Sequence, residues 1–129
     1  MADVTHTLKI ESTDLTTDVI SLTVTNLTRA IEQGGVMRQK IEPTTIGAAQ
    51  IIADEDLYVQ GARVWLYNPS TATTNEKIYI SFDSTSDQII LSGGDWALIP
   101  WAASSSGTPV SLEAYAETAN NILEYGIFN

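Results

Sequence analysis

The chain offers few residues that could perform acid–base or nucleophilic chemistry. His6 is the only histidine, and the alternating pattern around it places it on the same face of a predicted strand as Val4 and Leu8. A Ser-His-Asp triad would have to use this imidazole. The serine in Leu91-Ser92-Gly93-Gly94 lacks the leading glycine of a nucleophile elbow. We therefore interpret His6 as an ordinary strand residue and expect no serine hydrolase.

Acidic residues could instead act in pairs, as they do in glycosidases. The candidates are Asp54-Glu55-Asp56, Asp83, Asp87 and Asp95. Each lies beside turn residues, where aspartate is favoured because its side chain bonds to nearby backbone. These carboxylates are therefore interpreted as turn residues, and the alternative of a small two-carboxylate hydrolase would depend on Asp95.

Metal and phosphate sites are equally poorly supported. The loop Asp83-Ser84-Thr85-Ser86-Asp87 could offer oxygen ligands to calcium, but it lacks the glycine and the glutamate of an EF-hand. Ser92-Gly93-Gly94-Asp95 has no following Lys-Ser/Thr or helix, so it predicts a tight turn rather than a phosphate cradle. With no cysteine, the chain can form neither a disulfide nor a thiolate metal site. We predict no catalytic residue, no metal and no cofactor.

The elements around these residues are predicted to be strands. The chain contains 16 Thr and 11 Ser and only 17% charged residues, a composition that suits strands better than surface helices. Apolar and polar residues alternate in Val4–Ile10, in Ile20–Val24 and in Lys77–Phe82, and turn residues separate such stretches. The pattern predicts an all-β single domain over residues 1–129. The expected fold is a β-sandwich, jelly-roll-like or immunoglobulin-like, of about eight to ten short strands.

Aromatic residues are the remaining candidates for binding. Trp65, Tyr67, Tyr79 and Phe82 fall within apolar strands, so we predict that they belong to the core. Trp96 and Trp101 flank Pro100 near the end of a strand, and we expect one of the two to lie at the surface. Aromatic and arginine side chains are enriched at the centres of protein interfaces.

Charge limits the range of partners. The formal net charge is −10, from six basic and sixteen acidic residues. A field of that sign repels nucleic-acid phosphate and anionic lipid, so we expect neither nucleic acid nor membrane as a partner. The sequence shows no signal peptide and no apolar run long enough to span a membrane. Synthesis and folding in a cytoplasm are therefore expected.

Three segments resemble small virion structural proteins of tailed bacteriophages. They are Val64-Trp65-Leu66-Tyr67-Asn68-Pro69-Ser70, then Ile78-Tyr79-Ile80-Ser81-Phe82, then Ile89 to Trp101, and the closing Leu123-Glu124-Tyr125-Gly126-Ile127-Phe128 is also similar. The resemblance covers residues 63 to 128 and transfers no active-site residue. It implies a β-sandwich that attaches in many copies to a capsid or tail.

The leading hypothesis is accordingly a non-enzymatic capsid decoration (cement) protein on the outside of a virion shell. Its partners would be the major capsid protein or other virion proteins, and a homotrimer is expected because an icosahedral lattice offers threefold sites. The segments Val4–Ile10 and Ile122–Phe128 are predicted to extend a partner's sheet. The alternatives are a head–tail connector or minor tail protein, and a carbohydrate-binding module that stacks sugars on Trp96, Trp101 and Tyr115. The predicted contact residues are Val4, Leu8, Ile10, Trp96, Trp101, Ile122, Tyr125 and Phe128.

Overall fold

A computed structural model of the chain describes residues 2–13, 20–25, 29–31, 34–54, 61–72, 74–82, 87–101, 104–105 and 108–129. The chain divides into two compact units, Met1–Glu32 and Gln33–Asn129. We call the first the N-terminal unit and the second the sandwich unit. The prediction that residues 1–129 form one domain stays a prediction.

All regular structure described is β apart from one short 3-10 turn at Ile46–Ala48. The strands are β1 (Ala2–Val4), β2 (Thr7–Ser12), β3 (Ile20–Thr25), β4 (Arg29–Ile31), β5 (Gly34–Ile41), β6 (Gln50–Ala53), β7 (Ala62–Tyr67), β8 (Ile78–Phe82), β9 (Asp87–Leu91), β10 (Trp96–Trp101), β11 (Ser104–Ser105), β12 (Thr108–Pro109), β13 (Leu112–Ala116) and β14 (Asn121–Phe128).

The sandwich unit contains two four-stranded antiparallel sheets. One has the order β10-β7-β14-β5 and the other the order β6-β13-β8-β9. A single hydrophobic core draws residues from both sheets. The predicted all-β sandwich is confirmed, with fourteen strands where eight to ten were expected because several are only two or three residues long.

Period-two alternation explains how each sheet contributes one face to this core. In β7, Val64 and Leu66 are fully buried, while Trp65 between them is only partly buried. In β8, Ile78 and Ile80 are fully buried, and Phe82 packs against the same core. Burying one face of each sheet removes apolar side chains from water, which is the main favourable term in folding.

The C-terminal strand is the centre of its sheet. β14 pairs with β5 along residues 121–128 and with β7 along residues 124–128. From Glu124 to Phe128, its backbone donors and acceptors are therefore used within the chain on both edges. The prediction that Ile122–Phe128 extends a partner's sheet is wrong for residues 124–128, because strand addition needs an unpaired edge.

One end of the sandwich unit is held together by Asn68, directly after β7. This side chain is fully buried; its Nδ2 donates to the carbonyl oxygens of Glu76 and Leu91 at 2.8 and 3.0 Å. Its Oδ1 accepts from the backbone N–H of Ser70 at 3.1 Å. A buried amide with satisfied bonds fixes the three segments it joins, since breaking any bond would strand a polar group away from water.

The turn Ser92–Asp95 packs against this end. The N–H of Asp95 donates to the carbonyl of Ser92, and the N–H of Gly94 donates to the carbonyl of Asn68. Gly94 has φ +85°, which a type II turn requires at its third position. A β-carbon at Gly93 would lie 2.1 Å from the carbonyl oxygen of Ala72. The predicted turn is confirmed. Gly94 has a backbone conformation that disfavours other residues, and at Gly93 a side chain would collide with backbone.

The N-terminal unit consists of two-stranded antiparallel ribbons, β1 with β4 and β2 with β3. The segment Val4–Ile10, predicted to be one strand, is divided, because Thr5 and His6 separate β1 from β2. Among residues of this unit whose side-chain exposure is described, none is buried. The described residues of this unit therefore contribute no side chain to a buried core like that of the sandwich unit.

Among the described residues there is no helix of the length and apolar character needed to cross a membrane.

Candidate docking face

The outward surface of the sheet β10-β7-β14-β5 is rich in aromatic and apolar side chains. The register aligns Trp96 with Tyr67 and Leu98 with Trp65 across β10 and β7. It continues through β14, where Gly126 lies opposite both Trp65 and Val36. We call this surface the docking face. Its residues are Val36, Arg38, Lys40, Arg63, Trp65, Tyr67, Trp96, Leu98, Pro100, Ile122, Glu124, Gly126 and Phe128.

The aromatic members of the docking face differ in how much surface they offer. Trp96 is 53% exposed, whereas Trp65 and Tyr67 are half-buried and stack on each other with ring centroids 5.9 Å apart. Trp65 and Tyr67 were predicted to be core residues. That prediction is wrong, because their side chains alternate with Val64 and Leu66 and point away from the core.

Phe128 covers the backbone of its own strand. A β-carbon at Gly126 would lie 2.9 Å from two ring carbons of Phe128 and 3.4 Å from a methyl carbon of Val36. The ring thus fills the space that a side chain at Gly126 would need. The centre of the docking face is therefore apolar.

The docking face also concentrates positive charge. The four strands contain three basic residues, Arg38, Lys40 and Arg63, and all three lie on this face by register. Glu124 is the only acidic residue in these strands, and its Oε1 lies 3.4 Å from Nε of Arg38. A chain with a net charge of −10 therefore carries a locally basic, aromatic surface.

The predicted contact residues fall into three environments. Ile10 and Trp96 are exposed, and Val4, Leu8, Ile122 and Phe128 are half-buried. Trp101 and Tyr125 belong to the core; Tyr125 Oη donates to Gln39 Oε1 at 2.9 Å. Of the two tryptophans that flank Pro100, one lies at the surface, as expected.

The predicted sugar platform is not formed. Trp96 and Trp101 are five residues apart on one strand, so they occupy opposite faces, and Trp101 is only 7% exposed. Tyr115 lies in β13 of the other sheet, where it stacks on Tyr79 at 4.8 Å. Tyr79, predicted to be core, shares that outward position and is half-buried. A glycan could not stack on Trp96, Trp101 and Tyr115 together.

Two carboxylates of the sandwich unit, Asp95 and Glu76, bond to nearby residues. Asp95 Oδ2 accepts from the N–H of Ser92 at 2.9 Å, and Glu76 accepts from the hydroxyl of Ser70. The first bond supports the interpretation of Asp95 as a turn residue. In the part of the chain that the structure describes, no group of three or more His, Asp or Glu side chains could hold a metal. The loop Asp83–Asp87, which could offer oxygen ligands to calcium, lies largely outside the described residues, at positions 83–86.

Sequence reasoning missed Asn68 and the basic face. Asn68 follows the apolar run from Val64 to Tyr67 in the sequence, and an asparagine directly after a predicted strand could have indicated a side chain that bonds to backbone. Arg38 and Arg63 lie far apart in sequence and share a face only through the pairing of β5, β14 and β7. Comparisons with protein-family models, with curated proteins and with solved structures found no match to this chain.

Proposed function

We propose that this protein is a non-enzymatic virion structural protein that decorates the outside of a tailed-phage capsid. The observation that carries the proposal is the docking face, an aromatic surface with basic residues on an otherwise acidic chain. Such a combination is typical of a protein-binding surface, because aromatic and arginine side chains dominate interface energetics. The resemblance of residues 63–128 to tailed-phage virion proteins supplies the class of partner.

The electrostatics of the docking face favour an acidic partner surface. Arg38, Lys40 and Arg63 would meet carboxylates, while the aromatic centre excludes water around them. Opposite charges of this kind mainly raise the association rate and fix the orientation of the complex. The remaining acidic surface would keep bound copies from sticking to released DNA.

Stabilisation would follow from mass action. A protein that binds the assembled shell and not its dissociated subunits shifts the equilibrium towards the shell. When the free protein concentration is one hundred times the dissociation constant, binding stabilises the shell by about 2.7 kcal/mol per site. Many sites per shell multiply this effect, so no catalytic step is required.

Co-sedimentation with purified empty shells of a tailed phage that encodes this chain tests the proposal. We expect saturable binding that weakens at least tenfold in Trp96→Ala and in the double variant Arg38→Glu, Arg63→Glu. The matched control is Ile90→Ala, since Ile90 is equally exposed, at 53%, but lies in the other sheet. It should bind like the wild type.

Three results would contradict the proposal. Wild-type protein that ignores shells and forms a stable ring would indicate a neck or tail component. Binding to a glycan array that is lost in Trp96→Ala would indicate a carbohydrate-binding protein. Equal loss of shell binding in Trp96→Ala and Ile90→Ala would show that the docking face has no special role.

A further inference from the structure

The ribbon formed by β2 and β3 carries a partly exposed aliphatic stripe. The register places Leu8 opposite Val24 and Ile10 opposite Leu22, so these four side chains share one face. Ile10, Leu22 and Val24 are 46%, 48% and 51% exposed, and Leu8 is half-buried. We call these four residues the ribbon stripe.

The opposite face of the same ribbon is polar and internally paired. Lys9 Nζ lies 3.0 Å from Glu11 Oε1, and the hydroxyl oxygens of Thr7 and Thr25 are 3.1 Å apart. The ribbon stripe itself contains no charged residue. Its chemistry therefore differs from that of the docking face, which carries three basic side chains.

A two-stranded ribbon needs a further layer. An isolated pair of strands is at best marginally stable in water, and the described side chains of the N-terminal unit include none that is buried. An aliphatic surface that covers the ribbon stripe would supply the missing burial. The cover must be uncharged, because any ionised group placed against the stripe would lose its hydration without gaining a partner.

We propose that the ribbon stripe of a second copy of this chain covers it, so that the protein self-associates through its N-terminal ribbons. Copies with a net charge of −10 repel one another over most of their surface. The docking face would also repel its own counterpart, since its basic residues would meet. The ribbon stripe is uncharged and matches itself, which makes it the surface where two copies can approach.

The size of the ribbon stripe determines the strength of this contact. Six-residue strands are about 20 Å long, and two strands span about 10 Å. One ribbon face therefore offers roughly 200 Å², well below the approximately 800 Å² per partner of a stable interface. Self-association is expected to be weak and concentration-dependent in solution. Copies held close together on a common surface would associate more fully, because their effective concentration is higher.

Sedimentation velocity over a concentration series tests this inference without any shell, so its outcome is independent of the proposed function. We expect the wild-type mass to rise above one copy with concentration. Leu22→Glu should remain a single copy at concentrations at least tenfold above those at which the wild type associates, because it places a carboxylate in the ribbon stripe. The matched control is Thr23→Glu, which adds the same charge to the adjacent exposed residue on the opposite face; it should associate like the wild type.

Crosslinking distinguishes the loss of contact between two copies from the failure of the β2–β3 ribbon to form. The chain has no cysteine, so a single introduced cysteine can be joined only to another copy. A short bis-maleimide should join Leu22→Cys chains into covalent dimers and leave Thr23→Cys chains mostly single. A wild type that stays a single copy at all concentrations would overturn the inference. So would equal crosslinking of the two cysteine variants, or equal association of the two glutamate variants.

Discussion

The sandwich unit and the N-terminal unit are built from the same kind of alternating strand, and they differ in what covers it. In the sandwich unit, two sheets face each other and bury fifteen apolar residues. In the N-terminal unit, Ile10, Leu22 and Val24 alternate with polar residues just as regularly and remain about half exposed. Alternation therefore defines which face is apolar, and a second layer decides whether that face becomes a core.

The largest contrast should appear when leucines from the two units are truncated. Leu66 is fully buried in β7, so Leu66→Ala should lower the free energy of unfolding by about 3 to 4 kcal/mol through lost burial and a cavity. Leu22→Ala should change the unfolding of the sandwich unit by less than about 0.5 kcal/mol, because surface substitutions rarely cost more. Urea denaturation followed by tryptophan fluorescence measures both, since all three tryptophans lie in the sandwich unit. Similar losses in the two variants would remove the distinction between the units.

A pair of glycine variants tests how closely the turn Ser92–Asp95 packs within the sandwich unit. Gly93→Ala should destabilise it by about 2 to 3 kcal/mol, because the new β-carbon would collide with two backbone carbonyl oxygens. Gly35→Ala, where the space is open, should be neutral or stabilising by up to about 1 kcal/mol. Thermal unfolding compares the two. A tolerated alanine at Gly93 would mean that the turn does not pack against Ser70 and Ala72.

Removing the Asn68 side chain tests how much its buried hydrogen bonds stabilise the same end of the sandwich unit. Asn68→Ala should lower the free energy of unfolding by about 2 kcal/mol, because two carbonyl oxygens and one N–H lose their bonds. Thr74→Ala, at an exposed position nearby, is the control and should be near neutral. Urea midpoints that coincide for both variants would show that the buried amide contributes little.

The smallest effect is expected from deleting residues 1–32. All core residues among those that the structure describes lie between Ile41 and Ile127, so residues 33–129 should still unfold cooperatively. The expected change in the free energy of unfolding is less than about 1 kcal/mol, because the deletion removes none of the described core residues. Calorimetry of the shortened and full chains provides the comparison. A shortened chain without a cooperative transition would mean that the N-terminal unit contributes to the core.

The sequence allowed the local features to be predicted because they depend on neighbouring residues. Alternation in Lys77–Phe82 predicted β8 and its buried Ile78 and Ile80, and the glycines of Ser92–Asp95 predicted the turn. The central position of β14 could not be predicted in this way. It depends on pairing with β5 and β7, which are far away in the chain.

The docking face was missed for the same reason. Trp65 and Tyr67 look like core residues in an apolar strand, and only the inward direction of Val64 and Leu66 shows that they point outward. The basic cluster requires strand order as well, since Arg38 and Arg63 come from strands on either side of β14. The alternation of aliphatic and polar residues in β2 and β3 was visible in the sequence. The exposure of Ile10, Leu22 and Val24 was not.

Hydrogen exchange at low and high protein concentration tests the contrast between the two units most directly. Amides of β7 and β14 should be protected at both concentrations, because their bonds lie within the sandwich unit. Amides that join β2 to β3 should exchange rapidly in dilute protein and gain protection when concentration drives copies together. Ribbon amides that are equally well protected at both concentrations would contradict the account, because the ribbon would then be stable without a second copy.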